Sequence, residues 1–105
     1  MKVNLGKNGN LVYSGYMIRE DDFVYFLMQD RRFGAQMDTE EELANEVSNL
    51  LEDLLRSDME KGHISLPVTK LKPKKDCEIW EFEISDELNE EIMRFIEAGG
   101  KVSNA

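Results

Sequence analysis

The chain carries one cysteine, one histidine, two prolines and one tryptophan in 105 residues. A lone Cys77 excludes an internal disulfide, a cysteine-cluster zinc site and a Cys-x-x-Cys redox pair. A lone His63 excludes any site built from two imidazoles. Long apolar runs are missing as well. The longest, Phe23-Val24-Tyr25-Phe26-Leu27-Met28, falls far short of the roughly twenty residues a membrane-crossing helix needs. Residues 1–20 contain no apolar stretch of the secretory-signal kind, so the expected location is the cytoplasm. Positive charge is scarce: 13 Lys and Arg stand against 22 Asp and Glu, a net charge of −9. Nucleic acids and anionic membranes are gripped through cationic footprints, so direct binding to either is not expected. The glycine-rich nucleotide loops and the HExxH zinc motif are absent too. No cofactor, metal or catalytic residue is expected.

What remains is a globular composition. Hydrophobic residues make up 41% and charged residues 33%, too apolar for a disordered chain. The length suits one domain, expected over residues 1–100, with 101–105 as a frayed tail.

The pattern along the chain alternates short strands with two helices. Lys7-Asn8-Gly9-Asn10 is a turn signal, because Asn and Gly tolerate positive φ. Leu11 to Arg19 is rich in β-formers, Glu20-Asp21-Asp22 breaks it, and Phe23 to Gln29 reads as a central strand, so the two form a hairpin. Residues 33–37 are a candidate third strand. Thr39-Glu40-Glu41-Glu42 is a capping box, with Thr39 accepting from the Glu42 amide and Glu42 reaching back to the Thr39 amide. The helix it opens runs over roughly 40–60. Its stripe is Leu43, Val47, Leu50, Leu51 and Leu54, and Gly62 stops it. Ile64 to Leu71 reads as a strand held to an edge or a bulge by Pro67. Cys77 to Ile84 alternates, with Trp80, Phe82 and Ile84 on one face and Glu81 and Glu83 on the other. Ser85 caps a second helix that buries Leu88, Ile92, Phe95 and Ile96 and ends at Gly99-Gly100. The fold class is therefore α+β: an antiparallel sheet of four or five strands with two helices packed on one face, in the order β-β-(β)-α-β-β-α.

The acidic residues gather at Glu20-Asp21-Asp22, at Asp38 to Glu42 and at Asp86 to Glu91. Turns and helix starts account for most of them, and no EF-hand spacing is present. They read as a solvated surface or one facing a basic partner. Glu20, Asp21, Asp22, Glu41 and Glu52 are the candidate contacts. His63 lacks a second ligand or a nucleophile–base setting. Cys77 reads as a structural thiol. Lys70, Lys72, Lys74 and Lys75 are the one basic cluster, and whether they bind phosphate is open. The run Phe23 to Met28 is apolar on both faces, and helices cover one side only. An uncovered apolar face points to a homodimer.

Residues Met17 to Pro67 resemble the HicB-like antitoxin family. The hairpin Tyr16–Gln29, the Gly-bearing turn Phe33-Gly34-Ala35-Gln36, the helix start Asp38-Thr39-Glu40-Glu41-Glu42, then Gly62 and Ile64 to Pro67 follow that family's order. The family's Pro-x-x-Pro-Gly turn is replaced by Gln29-Asp30-Arg31-Arg32-Phe33-Gly34. Its DNA-binding segment has no basic counterpart in Trp80 to Gly99. The resemblance implies an antitoxin. More broadly, the sequence points to a small acidic non-enzymatic protein that neutralises a basic partner, a nuclease toxin or a host defence protein. Two alternatives stay open: a virus-encoded anti-defence inhibitor mimicking nucleic acid, and a small enzyme using carboxylates or His63.

Overall fold

A computed structural model describes residues 2–30 and 32–104. Strands β1 (Val12–Arg19), β2 (Val24–Met28) and β3 (Gly34–Met37) precede helix α1 (Glu40–Glu60). Strand β4 (His63–Leu66), strand β5 (Glu78–Glu83), helix α2 (Asp86–Glu97) and strand β6 (Lys101–Asn104) follow. The main sheet has the order β3-β2-β1-β5, antiparallel throughout. This is the α+β architecture expected from the pattern. The chain reversal at residues 7–10 is present, closed by Gly9 N–H donating to Gly6 O at 3.0 Å.

The register sorts side chains by face. Met17 pairs with Phe26, and Tyr13 with Phe82, so alternate residues of three strands point to the helices. That side forms one core with Leu43, Val47, Leu51 and Leu55 of α1 and Leu88 and Ile92 of α2. Phe26 stands edge-on to Phe82, 5.5 Å between ring centroids. Gly15 makes room for this ring: a Cβ there would collide with Phe26 and with the Leu27 carbonyl.

α1 has the expected bounds, and Thr39 accepts from the Glu42 amide at 3.2 Å. The reciprocal half differs: the Glu42 carboxylate accepts from the Thr39 hydroxyl at 2.9 Å, not from the Thr39 amide. The buried stripe is Leu43, Val47, Leu51 and Leu55, ending in Asp58, where Leu50 and Leu54 were expected. Steps of four follow a ridge inclined to the helix axis. The second helix is capped by Ser85 as expected, with Leu88 N–H donating to its Oγ at 3.2 Å.

Two expectations about the chain's later part are corrected. The strand after Gly62 ends at Leu66 rather than Leu71, and it leaves the main sheet. Residues 101–104 are not a frayed tail: as β6 they pair parallel with β4, His63 opposite Lys101 and Leu66 opposite Asn104. Gly99, at φ +94°, turns the chain back after α2, a conformation that suits glycine.

The outer face of the sheet is covered at Tyr16 by the connection 67–76 rather than left wholly bare. Tyr16 Oη donates to the Lys72 carbonyl at 2.6 Å, and Lys74 Nζ lies 4.7 Å from the Tyr16 ring centroid. Tyr25 and Leu27, on that face of β2, are half-buried. Among the described residues the large exposed hydrophobics are Leu5, Met93 and Val102. The outer face of β2 is thus only partly open to a second copy. No helix among the described residues is long and apolar enough to cross a membrane.

Candidate functional site

A densely charged surface lies where the β1–β2 hairpin meets the start of α1. Glu20 N–H donates to Phe23 O at 2.9 Å and closes the hairpin tip, leaving Glu20, Asp21 and Asp22 exposed. Val24 pairs with Met37, so the chain leaving β3 passes beside that tip and delivers Asp38, Glu41 and Glu42, all exposed. Asp86 and Glu87 lie elsewhere, at the start of α2.

Arg19 is the cation of this end, and it is engaged. Its Nε and Nη2 hold the two oxygens of Glu40 at 2.7 and 2.9 Å, and Nη2 reaches Glu78 Oε2 at 3.1 Å. Glu78 Oε2 also accepts from Trp80 Nε1 at 2.9 Å. The bidentate hydrogen bond to Arg19 holds the Glu40 carboxyl below its usual range, and the same bond raises Arg19 further. Arg19 is thus engaged by Glu40 and Glu78, while Glu20, Asp21, Asp22, Asp38, Glu41 and Glu42 remain exposed. A shallow depression of about 680 Å³ adjoins them, lined in part by Arg19, Glu20, Asp76, Cys77 and Glu78.

Four of the five sequence-predicted contacts, Glu20, Asp21, Asp22 and Glu41, share this end. Glu52 does not. It stands eleven residues beyond Glu41 on α1, a helical rise of about 16 Å. There it pairs with Arg56 at 3.6 Å, which also holds Glu91 at 3.3 Å. Glu52 therefore belongs to the contact between the two helices.

A second charged group went unread in the sequence. Asp58, in the last turn of α1, is 2% exposed, and Arg32 Nη2 donates to its Oδ1 at 2.6 Å. Its Oδ2 is buried without a hydrogen-bond partner. His63 Nε2 stands 3.9 Å from Oδ1, too far for the hydrogen bond a base dyad needs. Tyr13 Oη donates to Ser65 O at 2.7 Å. Burial first, then the Asp58 and Asp30 carboxylates, push the Tyr13 phenol far above its ordinary value. The group ties the β2–β3 turn to the end of α1. Asp58 does carry a signal in the sequence, an acid three residues beyond Leu55 on the apolar stripe.

Cys77 is half-buried at the foot of β5. Among the described residues no set of three His, Cys, Asp or Glu side chains is placed to hold a metal. Comparison with protein-family models, curated proteins and solved structures gives no match to this chain.

Proposed function

We propose that the chain is a small acidic binding protein of the cytoplasm that neutralises a basic protein partner, in the manner of an antitoxin or immunity protein. One observation carries the reading: Glu20, Asp21, Asp22, Asp38, Glu41 and Glu42 converge at one end, where the neighbouring cation Arg19 is consumed by Glu40 and Glu78. An exposed acidic patch of this kind steers a cationic surface into contact and occludes it. The HicB-like order of residues 17–67 makes an antitoxin the first form to test. A homodimer stays part of the proposal. The exposed Met93 and Val102, at 37% and 41%, are apolar side chains such a contact would draw on.

The test is affinity capture from the native cell lysate at low and high salt, then kinetics on the captured protein. A basic nuclease held at low salt and released at high salt is the expected result. The triple change E20K/D21K/D22K is expected to slow its association about ten-fold or more at low salt. Unchanged association in that variant overturns the reading. Capture of a nucleic-acid-binding defence protein instead favours the mimic form. Size exclusion reads the dimer.

A further inference from the structure

The acid in this chain is segregated. All 22 Asp and Glu residues lie in 20–60 or 76–97, and none lies in 1–19 or 61–75. Those two acid-free stretches carry Lys2, Lys7, Lys61, Lys70, Lys72, Lys74 and Lys75. The fold joins them across the outer face of the sheet. Asn4 N–H donates to Pro67 O at 2.7 Å, and Asn4 Nδ2 to Thr69 O at 3.0 Å. Between them runs a groove of about 580 Å³. Val12 and Ile79 form its floor, Leu5 and Leu71 its apolar walls, and Lys2, Lys70 and Glu81 its charges. Leu5 is 57% exposed, a large aliphatic surface left in water beside two exposed lysines.

We infer that this groove is a docking surface for an extended acidic peptide segment with aliphatic side chains. The surface is distinct from the acidic end and opposite to it in sign. The charge selects an anion, and lysines continue beyond the groove at Lys72, Lys74 and Lys75, all exposed, which suits a run of acids rather than a single one. The floor selects the rest of the ligand. Among the described residues no aromatic ring lines the groove, and the Tyr16 ring on the same face already carries Lys74 at 4.7 Å. Single-stranded nucleic acid relies on open aromatic faces for stacking. Leu and Val side chains instead match Leu5, Val12, Leu71 and Ile79. Glu81 opposes the incoming acids and limits affinity.

The experiment is fluorescence anisotropy on the full chain with a short labelled peptide of Asp and Glu interspersed with Leu and Val. A lysine-for-acid peptide and an oligothymidylate serve as comparisons. Saturable binding of the acidic peptide is expected. It should weaken about ten-fold in K2E/K70E, the size two exposed ion pairs carry, and tighten in E81Q. L5D, at an exposed site, should weaken it as well, and circular dichroism checks that each variant is folded. E20K/D21K/D22K should leave it intact, which keeps this result separate from the fate of the acidic end. No saturable binding, equal binding of the lysine peptide, or indifference to K2E/K70E overturns the inference. So does tighter oligothymidylate binding with the same lysine dependence, which assigns the face to nucleic acid.

Discussion

Arg19 and Arg32 each grip a carboxylate of α1, at opposite ends of the helix. Arg19 holds Glu40 in the first turn, with the side chains 52% and 46% exposed. Arg32 holds Asp58 in the last turn, with the side chains 30% and 2% exposed. Glu40 also sits with the helix dipole, whereas Asp58 sits against it. The chemistry is the same, but the solvent differs. Water competes for the first pair and screens it. It is shut out from Asp58 in the second, so loss of Arg32 would leave the Asp58 carboxylate stranded, whereas Arg32 itself reaches solvent. The exposed pair shapes a surface, and the buried pair fastens the β2–β3 turn to the helix.

The largest expected effect breaks the buried pair. R32A should cost about 3 kcal/mol in urea unfolding, the scale for an orphaned buried carboxylate. The double change R32M/D58L should restore most of that loss, because it removes both charges. A loss in R32A below about 1 kcal/mol would show that Asp58 is rescued by His63 or solvent.

A smaller effect sharpens the same comparison through pH. The Tyr13 phenol is raised in the folded chain by burial and by Asp58 and Asp30. A raised acid lends stability that is fully present below its unfolded value, near 10, and is lost as pH climbs beyond it. Urea midpoints taken from pH 8 to pH 11 should therefore fall more steeply for the parent chain than for Y13F. Parallel slopes would remove Tyr13 from the buried group.

The smallest effect belongs to the exposed pair. Glu40 is held below its usual carboxylate range by Arg19. Its contribution is present above the unfolded value and disappears as pH falls through the folded one. E40Q should differ slightly from the parent chain at neutral pH, and the gap should close in acid. A gap that persists in acid would mean that Glu40 acts through packing rather than charge.

Local features of the fold were legible in the sequence, and distant ones were not. α1 could be bounded because Thr39, the glutamates after it and Gly62 are signals read within a few residues. The β1–β2 hairpin could be read for the same reason. β6 could not: all four of its residues are exposed, so no apolar alternation marks them, and their partner strand lies far back in the sequence. That Glu20, Asp21, Asp22 and Glu41 lie together was legible because a hairpin tip and a helix start are the two places where acids congregate. Glu52 lies apart from them, and sequence spacing does not show that it pairs with Arg56, which also holds Glu91. Asp58 escaped notice because its acceptability depends on Arg32, 26 residues away.

Gly15 has a consequence for how the strands find their places. A slip of one residue between β1 and β2 turns the core side chains outward, so it is self-correcting. A slip of two keeps every side chain on its proper face, and hydrophobicity alone barely opposes it. It would, however, set Tyr13 or Met17 where the Phe26 ring needs an empty position. The missing side chain therefore acts as an index mark, telling two otherwise tolerant strands which of their near-equivalent alignments is the native one.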